Sequence, residues 1–276
     1  MPELPEVETI ARGLRSQLVG HRCTDLNADW KKIFNPSFAL IRRAVVGQIL
    51  TEVSRQGKYL FLNFGKQEGS DDTILLMLHL RMTGQIFTAS DYKPDKHVHA
   101  HFSFNDRDIW WRDIRKFGQI TLLTDKNRKK ALQTIGPDML QISFKEWRER
   151  IAHRKAPLKN LLLNQQIASG IGNIYADEAL FSAGLNPLCA PVALADAELK
   201  TLFKAIRSIL RLAIRHNGTT FSDFVDFSGK PGNFKQRLQV YGRTGEKCNR
   251  CQTKITRLKL AGRSAHFCPH CQTEMK

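Results

Sequence analysis

The 276 residues carry 43 Lys and Arg against 26 Asp and Glu, a formal charge of +17, and a chain of this length has room for about two domains, each with its own core. No run of about 18 apolar residues exists to span a bilayer, and Glu3, Glu6 and Glu8 interrupt any secretory segment behind Met1, so an intracellular protein is expected. The cationic excess calls for a densely anionic partner, nucleic acid first, although charge alone fits a ribosome-associated protein equally well.

In chain order, Val7, Ile10, Leu14 and Leu18 share one face at helical spacing and Gly20 stands where a helix would end, which predicts a helix over 6–19. Runs rich in β-branched and aromatic residues follow at 44–53, 58–64, 73–80, 84–88, 98–104, 108–113 and 118–123. Turn-like stretches such as Gly69-Ser70-Asp71-Asp72 and Asn105-Asp106 separate them, so the first half reads as an antiparallel β-sandwich or barrel. Past the basic segment Lys126, Arg128, Lys129 and Lys130 the apolar period turns helical, over 143–152, 157–164, 173–183 and 195–215. The last stretch carries Leu199, Leu202, Phe203, Ile206, Ile209, Leu210, Ala213 and Ile214 as a broad core-facing stripe.

Six cysteines are present, and four cluster near the C-terminus. Cys248-Asn-Arg-Cys251 and Cys268-Pro-His-Cys271 have the paired-knuckle spacing of a closed four-thiolate zinc site, which predicts one structural Zn2+ with no open position for catalysis. Between the knuckles, 254–259 and 263–267 read as strands joined by Leu260-Ala261-Gly262, with Arg263 at the tip where it can enter a duplex groove. His266 and His270 read as surface residues, and the isolated Cys23 and Cys189 as buried small hydrophobes.

The opening Met1-Pro2-Glu3-Leu4-Pro5-Glu6 would by itself be a helix start with favourably placed carboxylates. Together with the cysteines, and with Gln56-Gly57-Lys58-Tyr59, His79-Leu80-Arg81-Met82-Thr83-Gly84, Asp113-Ile114-Arg115-Lys116-Phe117-Gly118, Gly170-Ile171-Gly172-Asn173 and Gln239-Val240-Tyr241-Gly242-Arg243, it resembles the formamidopyrimidine-DNA glycosylase family along essentially the whole chain. Leu4 favours the branch acting on oxidised purines over the sister endonuclease VIII group, which usually has Gly there.

That resemblance implies an α+β multidomain fold: a catalytic helix plus β-sandwich over 1–125, a helical helix-two-turn-helix domain over 126–235 and a zinc hairpin over 236–276. It implies base excision with strand cleavage on double-stranded DNA bearing oxidised bases or abasic sites, by a monomer of the bacterial cytosol or nucleoid with no membrane partner. Pro2 becomes the nucleophile once Met1 is removed, Glu3 the acid/base, Lys58 a phosphate clamp and Glu6 a support for the terminus. Met82, Arg115 and Phe117 become the wedge that fills the vacancy left by an everted base. His79, Asn173, Tyr241 and Arg263 become DNA contacts, with Asn173 capping a helix, and Gly218 to Phe227 becomes a loop closing on the base. An endonuclease VIII-like enzyme and a non-catalytic DNA-binding zinc protein are the alternatives at this stage.

Overall fold

Proline in the first turn costs a helix nothing, because the N–H it lacks would be unpaired there anyway. In the computed structural model, which describes residues 2–66, 73–88 and 94–273, the first helix accordingly begins before the expected residue 6. Helix α1 (Leu4–Leu18) starts behind Glu3 with Pro5 in its first turn and buries Leu4, Val7, Ile10, Leu14 and Leu18. Val19 is extended and Gly20, at φ +89°, turns the chain away.

Two sheets follow. Strands β1 (Cys23–Asn27), β6 (Gly84–Phe87), β7 (Val98–Phe104) and β8 (Arg107–Asp113) form a four-stranded sheet in the order β1-β7-β8-β6. Strands β2 (Phe34–Asn35), β3 (Ile49–Gln56), β4 (Tyr59–Gly65), β5 (Ile74–His79) and β9 (Gln119–Leu123) form a five-stranded one, ordered β2-β9-β5-β4-β3. Among the described residues of these two sheets only the β2–β9 pair is parallel. Leu50, Leu62 and Leu78 from one sheet meet Ile86, Phe102, Phe104 and Trp111 from the other, with Leu14 and Leu18 of α1 in the same core.

The strand expected at 44–53 is corrected at its start: Val45 ends a helix, α2 (Phe38–Val45), which Ser37 caps by accepting from Leu40 N–H at 3.3 Å. Its two buried residues, Ile41 and Val45, stand four apart, a helical rather than a strand period. The turn expected at 69–72 lies outside the described residues.

Beyond the sandwich come α3 (Asp125–Gln133), α4 (Phe144–Ile151), α5 (Leu158–Leu163), α6 (Asn173–Ala183), α7 (Asp196–Arg215) and a hairpin of β10 (Thr256–Leu260) and β11 (Arg263–Phe267). The chain forms two units: one runs to Gln133 and takes in His216–Lys235, and the other comprises Thr134–Arg215 and Gln236–Lys276. Phe224 and Phe227, from the returning segment, belong to the sandwich core. Among the described residues no helix is long and apolar enough to cross a membrane.

Candidate functional site

At the N-terminal end of α1, Pro2 and Glu3 are buried. Glu6, the third residue of the helix, is 1% exposed and reaches back so that its Oε2 accepts from Glu3 N–H at 2.8 Å, the geometry of a capping box. Its other oxygen accepts from Thr219 N–H at 2.8 Å. One carboxylate thus ties the terminus to the start of the 218–227 loop. Gly218 sits at φ +80°, and a Cβ there would lie 2.7 Å from Glu6 Oε1, so only glycine lets that loop come so close.

Lys58 is brought to the same end of α1 by an ion pair that sequence reasoning missed. Arg15 donates to Val53 O at 3.0 Å and Arg55 donates to Glu8 Oε2 at 2.8 Å, so β3 runs opposite to α1 and its end lies beside the first turns of the helix. Arg55 also donates to Gly57 O at 3.0 Å, fixing the turn that carries Lys58, which is 6% exposed. Burial works against charge on Glu8, but hydrogen bonds and charge from Arg55 and Arg12 outweigh it and hold the carboxyl below its ordinary value.

His79 pairs with Tyr59 across β4 and β5, their rings 4.5 Å apart. Its Nδ1 accepts from Arg81 N–H at 2.9 Å, which leaves the proton of the neutral ring on Nε2. Burial, then the cations of Arg81 and Lys58, push its pKa down to about 3. His79 is therefore a neutral ring beside Lys58.

Met82, Arg115 and Phe117 come together. Arg115 Nη1 lies 2.8 Å from Met82 Sδ, and its guanidinium stands 4.7 Å from the Phe117 ring centre. Met82 is 42% and Phe117 50% exposed, an apolar pair at a loop tip that a folded core would have buried.

In the second unit one helix frames the remaining residues. Asn173 opens α6, but the cap is Gly172, not Asn173 as expected; the side chain makes no capping bond, and its Oδ1 has no hydrogen-bond partner among the described residues. Gln165 shapes the turn before it, donating to Ile171 O and accepting from Gly170 N–H. One turn into α6, Glu178 accepts from the backbone N–H groups of Gln239, Val240 and Tyr241, each at 2.9 Å. Burial raises its pKa against these bonds.

Its neighbour Asp177 accepts from Lys159 Nζ at 2.5 Å and from His266 N–H at 2.9 Å, and Lys159 also donates to Ser264 O. His266 is thus corrected from surface to interior: with the Asp177 carboxylate 3.0 Å from its Nδ1 and the Tyr241 ring 4.8 Å away, it seats the hairpin. His270 and Arg263 are exposed. Cys189 is half-buried rather than buried, whereas Cys23 is buried, with a pKa pushed up to about 12, chiefly by burial.

The sulfurs of Cys248, Cys251, Cys268 and Cys271 all lie within 4.8 Å of one another. Two of the separations are 3.9 Å and 3.4 Å, against the ~3.8 Å edge of a tetrahedron with ~2.3 Å zinc–sulfur bonds. The donor set fits a structural Zn2+. When bound, the ion holds the two knuckles together.

Three family profiles match in register with this layout: the formamidopyrimidine-DNA glycosylase N-terminal domain over residues 1–120, the H2TH domain of the same enzymes over 135–225, and a zinc finger found in FPG and IleRS over 245–273. The formamidopyrimidine-DNA glycosylase of Herpetosiphon aurantiacus is 40% identical over 265 residues, 94% of either chain. The chain belongs to the formamidopyrimidine-DNA glycosylase family. That of Carboxydothermus hydrogenoformans is 40% identical over 93% of this chain and 94% of its own. Among solved structures, a Lactococcus lactis member of the family in complex with Fapy-dG-containing DNA superimposes with a TM-score of 0.90, at 34% identity over 99% of this chain and 100% of that one. MutM in complex with DNA containing carbocyclic 8-oxo-G gives 0.89, also at 34% identity and with the same coverage. The α+β architecture and the zinc hairpin expected from the sequence are those of the family.

Proposed function

We propose that this chain excises oxidised purines, 8-oxoguanine and formamidopyrimidines, from double-stranded DNA and cleaves the strand at the resulting abasic site, with the Pro2 amine as nucleophile. The observation that supports this most directly is the burial of Pro2, Glu3 and Lys58 at one end of α1, in the same unit as an exposed Met82-Arg115-Phe117 tip.

An α-amino group titrates near pH 7.7–8.0, so part of it is neutral and nucleophilic at cellular pH, where a lysine near 10.4 would need strong perturbation. Freed by loss of Met1, the Pro2 nitrogen attacks the sugar C1′, the glycosidic bond breaks towards the base, and Glu3 supplies the proton that the sugar or the departing base requires. The resulting iminium acidifies the C2′ proton. Its removal expels the 3′ phosphate, a second elimination expels the 5′ phosphate, and hydrolysis returns the amine. Lys58 and the neutral His79 face the phosphates flanking the lesion, and Glu6 holds the terminus in place.

An everted base leaves a hole in the stack, which Met82, Arg115 and Phe117 fill, the guanidinium pairing with the orphaned cytosine. Asn173, Tyr241 and Arg263 contact the backbone, Asn173 beside the positive end of α6. The protein acts as a monomer on DNA in the bacterial cytosol or nucleoid.

Borohydride trapping tests the reading on duplexes carrying 8-oxoguanine opposite cytosine or thymine glycol opposite adenine, with parental and Pro2→Gly protein. A covalent adduct on 8-oxoguanine that Pro2→Gly abolishes is expected. Preference for thymine glycol would move the chain to the endonuclease VIII group, and no adduct on any lesion would make it a binding protein.

A further inference from the structure

Asp113 closes β8 and is fully buried. Its carboxylate stands where two loops meet. Oδ1 accepts from the Thr83 hydroxyl at 2.5 Å and from Arg115 N–H at 3.2 Å, and Oδ2 accepts from Gly118 N–H at 2.7 Å. Thr83 Oγ1 in turn accepts from Arg115 N–H at 3.1 Å. Thr83 directly follows Met82, while Arg115 and Gly118 bracket Lys116 and Phe117. Register does the rest: Gly84 is paired opposite Asp113, so the two loops leave the sheet at one level.

Neither loop would hold its shape unaided. Arg81 at φ 54° and Lys116 at φ 58° lie in the left-handed region, which costs a residue with a Cβ and persists only where the surroundings enforce it. The approach of Gly118 is equally demanding, since a Cβ there would fall 2.4 Å from the Trp111 ring and 3.1 Å from Asp113 Oδ2. The contacts among Met82, Arg115 and Phe117 are in water, where they are worth little. Charge-assisted bonds to a buried carboxylate are stronger, so the tip inherits its geometry from beneath.

We propose that Asp113 is a positioning residue that locks the two loops into one wedge, so that Met82, Arg115 and Phe117 enter the duplex together and the guanidinium is aimed at the base opposite the lesion. The proposal rests on the reading of those three side chains as the wedge. Without the carboxylate the tips still exist, but they arrive separately and the opposite base is read less well.

Asp113→Asn keeps the shape and turns an NH2 towards backbone N–H donors. Thr83→Val removes only the hydroxyl link, and Thr83→Ser restores it. Single-turnover excision of 8-oxoguanine is measured opposite cytosine and opposite adenine, with a 2-aminopurine beside the lesion reporting unstacking and thermal melting as the fold control. Each variant is also made in a Met82→Ala/Arg115→Ala/Phe117→Ala background.

Asp113→Asn is expected to slow excision opposite cytosine by about 10- to 100-fold, the order that a misplacement of about 1 Å costs, to narrow the cytosine preference and to weaken the unstacking signal. Thr83→Val follows it in part and Thr83→Ser matches the parent. In the triple background Asp113→Asn adds less than about twofold, because groups acting through one another are not additive. An undiminished loss in that background, or an unchanged cytosine preference, overturns the positioning role while leaving the wedge reading intact. A fully active triple variant overturns both.

Discussion

Replacing Glu6 by Gln changes one oxygen to NH2 in a side chain that is 1% exposed and accepts two backbone hydrogen bonds, from Glu3 N–H and Thr219 N–H, each at 2.8 Å. Bonds to a charged acceptor are worth about 1.5–3 kcal/mol each, and a buried donor left without an acceptor costs about 1–3 kcal/mol. The amide can serve one N–H with a neutral oxygen and must oppose the other with its own donor, so the net loss is about 2–4 kcal/mol. At about 1.4 kcal/mol per factor of ten this lowers the population of the ordered arrangement roughly 30- to 1000-fold. The packing of Phe224 and Phe227 in the sandwich core does not depend on the Glu6–Thr219 bond, so the cost is expected to fall on activity before melting temperature.

On the proposed function the 218–227 loop closes over the everted base during excision, whereas a preformed abasic site presents no base to cover. Glu6→Gln is therefore expected to slow single-turnover release of 8-oxoguanine by at least about tenfold more than borohydride trapping at an abasic site, within the limit set above. Equal losses in the two assays, or none in either, would refute the coupling through Glu6.

Other perturbations separate the parts of the molecule. Lys159→Met leaves Asp177 buried and deprived of its cation, which should cost about 3–5 kcal/mol and lower the melting temperature by roughly 10 °C; an unchanged melting curve would mean that the network carries no stability. Cys248→Ser should abolish stoichiometric zinc, read by metal analysis, and weaken duplex binding by more than about tenfold, since binding the metal is part of folding such modules. His79 stays neutral in the fold down to about pH 3, while the unfolded chain takes up that proton below its ordinary value of 6.5. The unfolded state then binds more protons, so stability should fall as pH drops from 6.5 towards 3, and His79→Gln should flatten that part of the acid-stability profile.

Short-range signals were legible in the sequence and long-range ones were not. The cysteine spacing, the helical period of α1 and α7 and the strand runs of the sandwich depend on neighbours within a few residues, and the structure has them close to where the pattern put them. The end of α2 escaped because apolar residues at 44–53 fit a strand as well as a helix end. His266 read as a surface residue because the carboxylate that buries it is 89 positions away. Asn173 read as a cap because capping depends on which residue's φ and ψ leave the helix, and Gly172 takes that place. Pro2, Glu3, Lys58 and the wedge residues rested on resemblance, since no local rule gathers them. Arg55, Asp113, Gln165 and Glu178 could be named only once the chain was folded.

The returning segment His216–Lys235 has a consequence for how the protein is made. The sandwich cannot be completed when its last strand leaves the ribosome, because Phe224, Phe227 and the Thr219 amide that meets Glu6 are synthesised about a hundred residues later. At about 5–20 residues per second the nascent sandwich waits roughly 5–20 s with an apolar hollow open and the Glu6–Thr219 bond unmade. The N-terminal end of α1, where Glu3 and Glu6 lie, is thus among the last parts to set.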